Sequence, residues 1–226
     1  SGTAALSAPL TVAVTQTPGT AATPADYTLS STSVTFAAAS QSAATQPIAI
    51  AIVDDTITES NETFTLGFGA VTGTGTASGT HTVTITDNDT PGITVTESGG
   101  STSVVEGGAN DSYSVVLNSQ PTANVTINIA FDAAQLVLNG DTDGALSLQF
   151  TPASWNTPIP VVVAAVNDTV VETNPHATSI TQTASSTDPF YGVIDPADVA
   201  VSIGENDTQE ITFALASSSV SETAGN

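Results

Sequence analysis

Along most of this chain Val, Ile and Thr alternate with their neighbours at period two, and no segment carries apolar residues at convincing helical spacing. Leu10-Thr11-Val12-Ala13-Val14 and His81-Thr82-Val83-Thr84-Ile85 follow the rule, as do Ile93-Thr94-Val95 and Asn124-Val125-Thr126-Ile127-Asn128-Ile129. Residues two apart share one face of a strand, so the pattern sends one set into a core and the other to solvent. Ile48 to Val53 is apolar throughout, and Ile159 to Val166 is broken only by Pro160; both read as more deeply buried strands. Gly, Pro, Asn and Asp punctuate the strands. Many short strands separated by such turns predict an all-β chain of antiparallel, immunoglobulin-like β-sandwich domains in tandem.

Charge decides which functions such a fold can serve here. The 226 residues include 22 acidic side chains and no Lys or Arg, a formal net charge of −22. Nucleic acid requires Lys or Arg to displace its counterions, so that partner is excluded. Anionic membrane surfaces and side-chain recognition of phosphate are excluded by the same argument. No run of 18 apolar residues occurs, so membrane insertion through a helix is not expected. Without Cys there is no disulfide or thiolate chemistry. Without Met, the chain reads as a piece of something longer. High net charge and 5% aromatic content are marks of disorder, but 39% hydrophobic residues in ordered alternation predict a folded chain. Folding against such self-repulsion calls for a multivalent cation or high ionic strength.

An internal repeat organises the acidic residues. Ile52-Val53-Asp54-Asp55-Thr56-Ile57-Thr58-Glu59 matches Ala165-Val166-Asn167-Asp168-Thr169-Val170-Val171-Glu172, 113 residues on. Thr86-Asp87-Asn88-Asp89-Thr90 matches Gly204-Glu205-Asn206-Asp207-Thr208, and Ser103-Val104-Val105-Glu106-Gly107-Gly108 resembles Ser219-Val220-Ser221-Glu222-Thr223-Ala224. The expected domains are residues 1–90, lacking a first strand, and a complete domain over 91–209. Residues 210–226 read as the first strand of the next domain, completing the 1–90 domain of an adjoining unit. The chain thus reads as one period of a polymer of two-domain units. Tandem copies are favoured over separate subunits that donate strands.

Most of the acids cluster at strand ends. In the first copy the candidates are Asp26, Asp54, Asp55, Glu59, Asp87 and Asp89, with Asn88 as a neutral oxygen donor and Glu222 joining from a neighbour. The second copy offers Glu106, Asp141, Asp143, Asp168, Glu172, Glu205 and Asp207, with Asn167 and Asn206. Carboxylates this close repel one another unless a cation sits among them. Calcium takes about 6–8 oxygens in irregular geometry, which suits ligands drawn from several loops better than magnesium's strict octahedron does.

These residues carry a resemblance to the Calx-beta domain, a calcium-binding sandwich. It rests on Thr23-Pro24-Ala25-Asp26-Tyr27, Val34-Thr35-Phe36, Ile52-Val53-Asp54-Asp55, Asn61-Glu62-Thr63-Phe64 and Val83-Thr84-Ile85-Thr86-Asp87-Asn88-Asp89. The resemblance implies that Glu222, Asp26, Asp54, Asp55, Glu59, Asp87 and Asp89 line a cluster of several Ca2+ ions. In the second copy Glu106, Asp168, Glu172, Glu205 and Asp207 stand at matching positions. That copy departs from the pattern: Asn167 replaces an aspartate, and the Asp-Tyr motif is missing, with Asp141 and Asp143 only nearby.

Other polar residues read more plainly. Asp111, Asp132, Asp188, Asp195, Asp198 and Glu210 are expected to solvate the surface. His81, in an alternating strand, is expected to be a surface or packing residue. A Ser–His–Asp triad around His176 is cheap to draw because Ser is so common, and paired carboxylates repeated in two copies suit an ion better than a single active site, so no enzyme activity is expected. Trp155 is expected to pack in or over a core. The predicted function is a calcium-stabilised structural repeat of an extracellular filament, adhesin stalk or surface layer, with ions stiffening the hinge that follows Asp89 and with neighbouring copies as partners. A carbohydrate- or cell-binding module with a glycan or cell-surface target, and a calcium sensor, are the alternatives.

Overall fold

The structure is a computed structural model that describes residues 4–213. They form two compact units. The first holds residues up to Gly92 together with Asn118–Thr122; the second holds Ile93–Leu117 and the residues from Ala123 on. Both are built of strands and turns, so the chain is all-β.

In the first unit β1 (Leu10–Pro18), β3 (Ser33–Phe36), β5 (Glu62–Thr72) and β6 (Thr80–Ile85) form an antiparallel sheet in the order β3-β1-β5-β6. A smaller sheet pairs β2 (Tyr27–Leu29) with β4 (Ile50–Ile52). The sheets meet through a small core of Val14, Ala21, Tyr27, Phe64 and Leu66. The Tyr27 ring from β2 stacks on the Phe64 ring from β5 at 3.7 Å.

The second unit is a fuller sandwich. One sheet runs β12-β10-β14-β15-β8, from β8 (Thr102–Val105), β10 (Val125–Ala130), β12 (Ala145–Phe150), β14 (His176–Ser186) and β15 (Val199–Gly204). The other runs β11-β13-β9-β7, from β7 (Ile93–Glu97), β9 (Asp111–Leu117), β11 (Leu136–Leu138) and β13 (Ile159–Ala165). Pairing is antiparallel except between β15 and β8. Ile127, Ile180 and Ile203 from one sheet and Val115, Leu136 and Val161 from the other are fully buried in a shared core, against which Trp155 packs.

The period-two rule holds more widely than the sequence suggests. Val161 and Val163 are fully buried while Val162 between them is 39% exposed, and Ile52 and Val53 are 51% and 42% exposed. Neither apolar run is therefore buried on both faces. In a sandwich only one face of each strand meets the opposite sheet, and the outer apolar residues are left to solvent. Asp188 is a second correction. It is buried, and its carboxylate accepts the N–H groups of Phe190 (2.8 Å) and Tyr191 (3.1 Å), fixing the turn that carries the buried Tyr191.

Strand order relates the units. β1, β3, β5 and β6 are connected as β10, β12, β14 and β15 are, and the β2–β4 pair corresponds to β11–β13. Among the described residues of the first unit, β7, β8 and β9 have no counterpart.

Candidate metal centres

Register gathers the acidic segments. Tyr27 pairs with Ile52, which sets Asp26, just before β2, beside the Val53-Asp54 end of β4. Glu62 at the start of β5 pairs with Ile85 at the end of β6, which sets the β4–β5 loop beside Asp87-Asn88-Asp89. Side chains of Asp26, Asp54, Asp55, Glu59, Glu62, Asp87, Asn88 and Asp89 thus line one cavity of about 270 Å³ at one end of the first sandwich. In the second unit Leu136 pairs with Ala165, and His176 with Ile203, by the same logic. The parallel pair Gly204–Val105 then places Glu106 beside Glu205.

The two loop systems share a hydrogen-bond scaffold. Asp55 accepts the N–H of Ile57 at 2.8 Å, as Asp168 accepts that of Val170 at 2.6 Å. The N–H of Glu59 donates to Asp87 at 3.0 Å, and that of Glu172 to Glu205 at 2.8 Å. Asp87 also accepts the N–H of Asp89 at 3.3 Å, and Glu205 that of Asp207 at 2.5 Å. Asn88 Nδ2 donates to Asp54 at 3.1 Å, and Asn206 Nδ2 to Asn167 at 2.7 Å. Asn88 and Asn206 therefore act here as donors that tie two loops together rather than as oxygen ligands.

Within the first cavity Asp26, Glu59 and Glu62 bring carboxylate oxygens within 4.8 Å of one another. Burial pushes Glu62 up to about 7, reinforced by a hydrogen bond to Asp26 and by the charges of Asp26 and Glu59. Burial, then the charges of Asp26, Asp55 and Asp87, raises Glu59. Burial with Asp87, Asp55 and Asp54 raises Asp89. In the second unit a different set, Glu106, Glu205 and Asp207, forms a group of three within 4.8 Å, with Glu205 and Asp207 at the positions of Asp87 and Asp89. Glu106 is only 4% exposed and is raised by burial and by Glu205, Asp168, Glu172 and Asp207. Glu205 is lowered, because backbone N–H groups of Asp207, Glu172 and Asn206 donate to it.

Two candidates lie elsewhere. Asp141 and Asp143 sit beyond the far end of β11, in a turn they close themselves: Asp141 accepts the N–H of Asp143, and Asp143 that of Ala145, both at 3.0 Å. The residue standing where Asp26 stands is Gln135, immediately before β11. Gln135 Nε2 donates to Glu172 at 2.9 Å, and His176 Nε2 lies 2.5 Å from Gln135 Oε1 and 3.1 Å from Glu172 Oε2. The carboxylate trio Asp26, Glu59 and Glu62 is thus replaced in the second unit by Gln135, Glu172 and His176, which contact one another but leave Glu172 Oε2 and His176 Nδ1 buried without a hydrogen-bond partner. Neither Glu62 nor Gln135 was among the sequence candidates. Glu62 lies inside Asn61-Glu62-Thr63, which also reads as a glycosylation sequon. Glu222 lies outside the described residues.

The donor chemistry fits a hard cation. Glu62 Oε2, Glu106 Oε2 and Asp207 Oδ2 are buried with no hydrogen-bond partner, and a buried charged oxygen without a partner is costly. The neighbouring donors are oxygens, the preference of calcium and magnesium rather than of softer metals.

Each unit is a β-sandwich whose acidic loops gather oxygen donors at one end. More particularly, residues 3–89 match the Calx-beta domain family. Among solved structures, the apo-form Calx CBD1 domain is similar at 15% identity and a TM-score of 0.35, over 51% of this chain and 98% of that one. CBD12 from CALX1.2 is similar at 14% identity and 0.35, over 78% and 68%. The calcium binding domain CBD12 of CALX1.1 is similar at 16% identity and 0.37, over 79% and 68%. No curated protein matches this chain.

Proposed function

We propose that this chain is a calcium-stabilised structural segment of an extracellular filament, stalk or surface layer. The observation that carries the reading is the pair of three-carboxylate groups, in which buried oxygens of Glu62, Glu106 and Asp207 lack any hydrogen-bond partner. Cations there relieve both the orphaned oxygens and the repulsion of a chain with 22 acids and no Lys or Arg. Among the described residues each unit holds one group of three carboxylates, Asp26, Glu59 and Glu62 in the first and Glu106, Glu205 and Asp207 in the second. Thr90-Pro91-Gly92 separates Asp89 from β7, so ions held at Asp89 stiffen the short connection that follows it.

Thermal unfolding titrated with calcium, magnesium and chelator tests the reading. A saturable rise in midpoint with calcium, weakly reproduced by magnesium, is expected. Half-saturation in the range of about 10⁻⁴–10⁻³ M belongs to an extracellular structural site, and about 10⁻⁷–10⁻⁵ M to a sensor. An unchanged midpoint removes the metal from the function and leaves only the fold. X-ray scattering with and without calcium tests the stiffening; equal particle lengths would rule it out.

A further inference from the structure

Gln135, Glu172 and His176 form a polar cluster that joins the two sheets of the second unit. Gln135 immediately precedes β11 of one sheet, His176 opens β14 of the other, and Glu172 lies in the connection that leads to β14. Three atoms converge there. His176 Nε2 stands 2.5 Å from Gln135 Oε1 and 3.1 Å from Glu172 Oε2. One ring nitrogen carries at most one proton, so it satisfies only one of these oxygens well. Glu172 Oε2 is left buried with no hydrogen-bond partner, which is costly for a carboxylate.

The cluster is braced from behind. Gln135 Nε2 donates to Glu172 Oε1 at 2.9 Å, which leaves Oε2 to face the ring. The N–H of Glu172 donates to the Glu205 carboxylate at 2.8 Å. The Asn174 side chain exchanges two hydrogen bonds with the Glu205 backbone, at 3.2 and 3.3 Å. A supporting shell of this kind orients ligands before an ion arrives. The side chains of His176 and Glu172 are 18% and 22% exposed, which leaves a way in for an ion and a water.

The donor set selects the ion. The same place in the first unit holds three carboxylates, the preference of calcium. Here two of the three are replaced, one by an amide and one by an imidazole. Calcium and magnesium favour oxygen donors, whereas imidazole suits Zn2+, Ni2+ and Cu2+. Tetrahedral Zn2+, with bonds of about 2.0–2.2 Å, holds neighbouring ligand atoms about 3.3 Å apart. The separations of 2.5 and 3.1 Å need open only slightly to admit it.

We propose that Gln135 Oε1, Glu172 Oε2 and His176 Nε2 form a site for a borderline divalent ion of the Zn2+ type, with water completing its coordination. The bound ion ties the entry to β11 in one sheet to β14 in the other, an inter-sheet staple in a chain without Cys. The site stands apart from the calcium reading, because none of its three ligands belongs to the group of Glu106, Glu205 and Asp207.

The test uses the 226-residue chain with zinc chloride, in saturating calcium so that the carboxylate groups are filled. Equilibrium dialysis is expected to show one tightly held Zn2+ per chain. His176→Gln is expected to weaken that binding at least tenfold, and His81→Gln to leave it unchanged. The chain has only two histidines, so the NMR signals of their rings read the site without any substitution. Zn2+ is expected to shift the His176 ring and spare that of His81. A shift of neither ring, or of His81 alone, overturns the inference, as does Zn2+ binding indifferent to His176→Gln. Displacement of Zn2+ by calcium at comparable concentration also overturns it, since oxygen donors would then set the choice. Zn2+ binding that persists in calcium-free buffer supports the site even where calcium itself fails to bind.

Discussion

Gln135 occupies in the second unit the place of Asp26 in the first: each backbone carbonyl accepts, at 2.9 Å, the N–H of the valine that follows the neighbouring strand, Val166 and Val53. The side chains differ by one charge, and their neighbours differ in step. Glu62 faces Asp26, while His176 faces Gln135. One unit thereby presents three carboxylates, and the other a single carboxylate, Glu172, beside an amide and an imidazole, so the need for a cation is greater in the first.

Cation stoichiometry should follow those two positions. Asp26→Gln with Glu62→His is expected to lower bound calcium by one ion per chain. Gln135→Asp with His176→Glu is expected to raise it by one. Equilibrium dialysis or calorimetric titration reads the number directly, and an unchanged count in both variants would show that the trio is not a site.

Gly107 is fixed by geometry. Its φ is 65°, and a Cβ there would stand 3.3 Å from both Asn167 Oδ1 and Asn206 Nδ2. A left-handed conformation costs a residue with a Cβ roughly 1–2 kcal/mol. Gly107→Ala is expected to lower the stability of the second unit by about that much in urea unfolding, and to weaken the Asn206 link to the Glu106 carbonyl, now 2.8 Å long.

Asp188 offers a test away from the metal centres. Its carboxylate holds two backbone N–H groups in a buried turn beneath Tyr191. Asp188→Ala leaves those donors buried and without that acceptor, at a cost of about 1–3 kcal/mol each. Thermal unfolding should show a clear loss with calcium affinity unchanged.

These residues also mark how far a single sequence could be read. Asp87-Asn88-Asp89 and Glu205-Asn206-Asp207 were legible because each is a contiguous motif directly after an alternating strand. Their scaffold of paired hydrogen bonds follows the repeat residue for residue. Asp26 and Gln135 were not legible as partners, since they lie 109 residues apart while the β4–β5 motif repeats at 113, and Asp141 offered a nearer acidic decoy. Asp188 looked like surface because its burial depends on a turn that no periodicity announces. The parallel β8–β15 pair joins residues such as Val104 and Ile203, far apart in the chain, and only tertiary structure displays that edge.

The pH dependence of the metal-free protein follows from Glu62. Its ordinary value is 4.5, and burial with Asp26 beside it raises it to about 7 in the folded state. Between those values the native chain binds more protons than the unfolded chain, so stability falls as pH rises. Glu59, Asp89 and Glu106 are raised as well and push the same way. Glu205, Asp111 and Asp141 are lowered, and their contribution is already complete above the ordinary carboxylate range, so they do not oppose this slope. In chelator, calorimetric midpoints should therefore decline from about pH 5.5 to pH 7. Saturating calcium binds the ionised carboxylates and should flatten or reverse the decline. At a free concentration one hundred times the dissociation constant, each site adds about 2.7 kcal/mol, most of it at the higher pH where the ligands are charged. Identical pH profiles with and without calcium would mean that Glu62 and its neighbours titrate without holding an ion.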